Sequence, residues 1–167
     1  MMYEFAPKAD KKREKLWMIG SLGLGALFFV GSYLPQMPLP SVLQMIAFAC
    51  FAFAIIVVSK YLLCTYVYRI EISEPSGERE LVVIELCSRR IRTVCRLPLS
   101  SIVSVQEITL KNRRAFMRQC REKTVYRYMG EMNPERMIGL EVSYGEEQFG
   151  LLILYDEGLK NLLLANG

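Results

Sequence analysis

Two long uncharged stretches near the amino terminus restrict what this chain can fold into. LWMIGSLGLGALFFVGSYL, residues 16–34, and SVLQMIAFACFAFAIIVVS, residues 41–59, each run 19 residues without Asp, Glu, Lys or Arg. As a helix, each would be roughly 28 Å long at about 1.5 Å per residue, close to the ~30 Å hydrocarbon core of a bilayer. A helix packed in a water-soluble domain keeps a polar face over such a length, and neither stretch has one. The pattern predicts a transmembrane hairpin over residues 16–62, with helices at 16–34 and 41–60. A secretory signal is the competing reading of the first stretch. Its apolar run is too long for the usual signal core, and GSYLPQMP makes a poor small-residue cleavage site.

The link GSYLPQMPLPS holds Pro35, Pro38 and Pro40 and no charge. Proline removes an amide donor and disfavours helix at the residue before it, so the first helix should stop near Leu34. The basic residues gather at the other ends of the two spans. Lys8, Lys11, Lys12, Arg13 and Lys15 precede the first, and Lys60 and Arg69 follow the second. The positive-inside bias then puts both termini in the cytoplasm. Residues 1–15 become a basic cytoplasmic tail, and the protein a multi-pass protein of the cell membrane. Lys60 lies one residue past a complete span, where its stem can snorkel to the headgroups. Lys15, Trp17, Lys60 and Tyr61 are the expected interface anchors, and Tyr66 and Tyr68 suit the same zone. Ser21 and Gly25 form a small-x-x-x-small pair, matched by Ala47, Cys50 and Ala54 on the second span. That stripe predicts close packing of the two helices of one hairpin, or of two copies of the chain.

From residue 66 onward the rhythm changes to a period of two. YVYRIEISE alternates Tyr68, Ile70 and Ile72 with Arg69, Glu71 and Ser73, the pattern of a half-buried strand. Further strands are read in RELVVIELC, IRTVCRLPL, SIVSVQEITL, KTVYRYMG, RMIGLEVSYG and EQFGLLILYD, seven in all, with YGEE as a hairpin turn. DEGLKNLLLANG closes the chain as a helix with Leu159, Leu162 and Leu163 on one face and Asp156 and Glu157 at its start, where acidic groups suit the helix dipole. KNRRAFMRQCREK, residues 111–123, reads either as an inserted helix with Phe116, Met117 and Cys120 inward or as a basic loop. Seven antiparallel strands need their edges covered, which favours a barrel or a folded-over sheet.

This order of strands and a last helix, entered directly from a membrane span, resembles bacterial pleckstrin-homology-like domains, including the YcxB-like group. RLPLSSIVSVQEI, residues 96–108, is similar to the passage those domains carry between their third and fourth strands. The resemblance implies an α+β protein. In it, the two-helix hairpin precedes a seven-stranded antiparallel β-barrel over residues 66–167, with a carboxy-terminal α-helix. It implies interaction and oligomer formation rather than catalysis, and it carries over no particular residue. The basic insertion at 111–123 departs from a minimal version of that fold.

Catalytic chemistry finds few footholds. The chain has no histidine, the commonest general base near neutral pH. Cys50, Cys64, Cys87, Cys95 and Cys120 form no C-x-x-C pair. Scattered thiols suit a reducing compartment, and Cys87 and Cys95 are placed to face each other across neighbouring strands. No metal, cofactor or nucleic-acid ligand is expected, and no enzymatic activity. Charge placement stands out instead. Between residues 86 and 127 lie eleven basic side chains, opposed by Glu107 and Glu122. Arg89, Arg90, Arg92, Arg113, Arg114 and Arg118 are the candidate contacts to anionic headgroups of membrane lipid or to an acidic partner, since a basic residue near an anionic leaflet gains about 1 kcal/mol. The expected function is non-enzymatic: association with a protein partner, lipid headgroups or further copies of the chain. The alternative is an accessory, regulatory subunit of a membrane transporter or envelope complex.

Overall fold

A computed structural model describes residues 3–7, 11–34, 39–74, 77–88, 90–121 and 123–165. The chain divides into two units: Ala9–Cys64, and Met1–Lys8 together with Thr65–Gly167.

The first unit is helical. Helix α1 spans Lys12–Gly31 and α2 spans Pro40–Val57, continued by a π-helical turn at Val58–Leu62. Pro40 occupies the start of α2, where its missing amide forfeits no intrahelical bond. The two helices, 20 and 23 residues with the π turn included, are long and apolar enough to cross a membrane. Their surfaces argue against a soluble core, because Leu16, Ile19, Leu27, Val30, Met45, Phe48 and Ile55 are all exposed, whereas a core helix hides such residues. The α1 helix begins before Leu16 and ends before Leu34, so its charged first turn belongs to the helix itself. The small-residue stripe lies in the contact between α1 and α2. Ala47 and Ala54 are buried, Ser21 and Cys50 half-buried, and a Cβ on Gly25 would stand 2.8 Å from the Phe51 ring. At the charged end, Lys11 Nζ donates to the carbonyls of Leu62 and Cys64 at 2.9 and 3.1 Å. A cation thus sits on carbonyls left over where α2 runs out, which suits a helix carboxy terminus. Burial pushes the Lys11 ammonium below its ordinary pKa, against the pull of Glu14.

The second unit holds two four-stranded sheets. The first runs β1 (Tyr3–Phe5), β2 (Cys64–Ile72), β3 (Arg79–Cys87) and β4 (Arg90–Pro98) in that order. The second contains β5 (Ile102–Thr109), β6 (Thr124–Tyr128), β7 (Arg136–Tyr144) and β8 (Glu147–Leu154), ordered β5-β7-β8-β6. Helix α3 (Arg113–Gln119) intervenes between β5 and β6, and α4 (Glu157–Leu164) ends the unit. The α+β class and all seven strands read from the sequence are present. Two expectations change. The strands do not close into one antiparallel barrel: β6 runs parallel to β8, because the α3 crossover delivers it to the far edge of the second sheet. The amino-terminal segment is more than a tail, since Tyr3–Phe5 pairs antiparallel with Tyr68–Ile70.

One core serves both sheets, built from Leu81, Val83, Ile138, Leu140, Leu151 and Ile153 with Leu159 and Leu163 of α4. Asp156 caps α4, its Oδ2 accepting from Leu159 N at 2.8 Å, and the Tyr3 hydroxyl donates to the same carboxylate. Tyr66 and Tyr68, read as interface residues, belong to this core instead. The Tyr68 hydroxyl donates to the Tyr128 carbonyl at 2.5 Å and accepts from Leu154 N at 3.3 Å, joining β2 to β6 and β8. Burial pushes that hydroxyl far above the ordinary tyrosine pKa, so it stays a donor. Along β4 the register skips between Val83↔Cys95 and Ile84↔Thr93, leaving Val94 unopposed. Such a bulge flips the alternation beyond it, which is why Ile91 is 79 % exposed although it shares its parity with buried Leu97.

Candidate functional site: a basic cavity over helix α3

Within the 111–123 segment Arg113–Gln119 forms the helix α3, and the packing beneath it explains why. Asn112 first ties off β5: its Oδ1 accepts from Thr109 N at 2.6 Å and its Nδ2 donates to the Glu107 carbonyl at 3.0 Å. Phe116 and Cys120 are each 2 % exposed and belong to the core. The landing place is Gly139 of β7, where a Cβ would stand 2.2 Å from Ile108 Cδ1 and 2.9 Å from the Phe116 ring. Only a residue without a side chain lets the helix come so close. With Phe116 and Cys120 turned inward, Arg114, Arg118 and Arg121 are left exposed. Arg114 and Arg118, at i and i+4, share one face of α3, and Arg121 follows just past the helix end, its amide donating to the Arg118 carbonyl at 3.1 Å.

These arginines, with Arg113, Leu110 and Met117, line an open cavity of about 590 Å³. Arg113 is anchored, its Nη1 donating to Asn133 Oδ1 at 2.9 Å. Among the described residues Arg114, Arg118 and Arg121 have no ion-pair partner. Glu107, which the sequence offered as their counter-charge, is engaged elsewhere. Its carboxylate accepts from Arg136 Nη2 at 2.7 Å and from Lys160 Nζ at 2.9 Å. Those hydrogen bonds, Lys160 first and then Arg136, hold Glu107 below the usual glutamate pKa. The Arg136 guanidinium lies 3.8 Å over the Tyr155 ring as well. Like charges at i, i+4 cost about 0.2–0.5 kcal/mol per pair. The α3 carboxy terminus offsets part of that for Arg118, and among the described residues no ion pair compensates the rest.

The other candidates separate. Arg90 and Arg92 are exposed on β4 but do not line this cavity, and Arg89 lies outside the described residues. Arg121, counted in the sequence among the basic residues without being singled out, does line it. Lys15, Trp17 and Lys60 are exposed and Tyr61 is half-buried, with Lys60 Nζ 5.9 Å from the Tyr61 ring centroid.

The cysteines also correct the sequence reading. Cys87 does not face Cys95, which lies opposite Val83. Cys50, Cys95 and Cys120 are free. Burial raises the Cys95 thiol to about 11 and also raises Cys120, so neither is an activated nucleophile.

No family model matches the chain, and no curated protein matches it.

Proposed function

We propose that the chain is a non-enzymatic integral membrane protein whose helical hairpin holds a two-sheet binding module at the inner face of the cell membrane. The observation that carries this reading is the pairing of β1 with β2. The strand before α1 and the strand after α2 share one sheet, so the chain enters and leaves the helical unit from the same side. Two crossings satisfy that; one crossing, or removal of the first helix as a signal, does not. The lysines and arginine flanking the helices favour the cytoplasmic side. The kinship with pleckstrin-homology-like domains belongs to the same proposal and rests on the succession of seven strands and a final helix; the two open sheets and the parallel β6 depart from it. Binding at the module uses its basic surface, directed at anionic groups.

A second reading, an accessory subunit, is favoured by one further feature. Trp17, Gly20, Ser21, Leu24, Ile46, Ala49, Cys50 and Phe53 line an apolar groove of about 440 Å³ along α1 and α2, shaped for another helix. Alkaline carbonate washing of membranes, followed by purification in mild detergent, tests both. Retention in the washed membrane supports the hairpin, and release into the wash overturns it. Self-association alone favours the binding module, and stoichiometric co-purification of a larger membrane protein favours the accessory subunit.

A further inference from the structure

We infer that the cavity over α3 is a binding site for a phosphomonoester carrying an apolar group, held by Arg114, Arg118 and Arg121. This deepens the reading of the sheet unit as a binding module and rests on it.

Three features converge. The first is the donor set: three guanidiniums, two on one face of α3 and Arg121 just past its end, lack ion-pair partners among the described residues and border one open cavity with the anchored Arg113. Arginine forks match the oxygen geometry of phosphate and bind it with two parallel hydrogen bonds each. A phosphomonoester presents three terminal oxygens and nearly two charges near neutral pH, enough for several forks at once. A phosphodiester offers two such oxygens and one charge. The second is rigidity. Phe116 and Cys120 clamp the opposite face of the helix into the core, so the guanidinium stems start from a fixed backbone, which lowers the ordering cost of binding. The third is the rest of the lining. Leu110 is half-exposed and Met117 half-buried at the cavity wall, apolar surface that a bare inorganic anion would leave wet. The volume of about 590 Å³ falls within the range of small-molecule sites and exceeds what a phosphate group alone would fill. A lipid headgroup and a free soluble monoester both carry this chemistry.

The test uses full-length protein in a neutral detergent at about 0.15 M ionic strength, where charges more than roughly 8 Å apart are screened. Native mass spectrometry follows binding of phosphatidate, phosphatidylglycerol, glycerol 3-phosphate, inorganic phosphate and a glutamate-rich peptide. The partner protein is wild type or R114Q/R118Q/R121Q, whose exposed substitutions leave the core intact. A second variant, R114K/R118K/R121K, keeps the charge but loses the forks. We expect wild type to prefer a monoester over phosphatidylglycerol by about ten-fold, as bidentate charge-assisted pairing implies. The glutamine variant should lose that preference, the lysine variant should lose most of it, and inorganic phosphate should compete. Tight phosphatidate binding, with glycerol 3-phosphate weaker but still preferred over phosphatidylglycerol, supports the proposal, and glycerol 3-phosphate binding with no gain from acyl chains overturns its apolar half. Equal binding of monoester and diester, an unchanged glutamine variant, or preference for the acidic peptide overturns the proposal. The soluble-monoester arm needs no membrane. A protein that binds it yet washes off membranes would keep this site and lose the anchor, and a membrane-retained protein without the preference would do the reverse.

Discussion

Replacing Tyr68 with Phe isolates the contact that joins the two sheets. The substitution deletes one oxygen and leaves the ring, so it creates almost no cavity. It removes both hydrogen bonds of the hydroxyl: the one to the Tyr128 carbonyl and the one from Leu154 N. Tyr68 is 0 % exposed, so water cannot replace the lost partner. Leaving a buried donor or acceptor unsatisfied costs about 1–3 kcal/mol. With two groups orphaned and some relaxation, the expected loss is about 2–4 kcal/mol. Urea unfolding of the full chain in detergent, followed by tyrosine absorbance, should show a lower midpoint with an unchanged slope, the signature of altered stability rather than altered compactness. Hydrogen exchange should speed up at the Leu154 amide before it does in the centre of β7. A loss under about 0.5 kcal/mol, the usual scale of a surface change, would refute the claim that this hydroxyl joins the sheets.

Glu107 has its pKa held below the ordinary 4.5 by Lys160 and Arg136, so its contribution is complete above that value and is lost as pH falls below it. Glu107→Gln should lower stability at neutral pH and change little in acid, so that the acid limb of the stability profile flattens; an unaltered acid limb in a pH series of thermal melts would contradict this.

The parts of this molecule legible in the sequence are those governed by local periodicity. The uncharged runs locate both helices, and strict alternation marks β2, β7 and β8 to within about two residues. What escaped depends on partners distant in sequence. Tyr3–Phe5 is three residues beside a run of charges, and only β2 makes it a strand. Val94 looks like any β-branched strand residue, yet its bulge exposes Ile91. The ion pairs of Glu107 could not be assigned, because Arg136 and Lys160 reach it from β7 and α4. Among the candidate contacts, Arg113, Arg114 and Arg118 come together because one short helix carries them. Arg90 and Arg92 were grouped with them by proximity in sequence, which the α3 crossover does not preserve.

The central claim is that both ends of the hairpin feed one sheet on one side of a membrane. Reporters that fluoresce only in the cytoplasm, fused before Met1 and after Gly167 in separate full-length proteins, test it together with a periplasm-active phosphatase inserted in the 35–38 link. The account predicts fluorescence from both terminal fusions and phosphatase activity from the link. A dark fusion at one terminus beside a bright one at the other would contradict it.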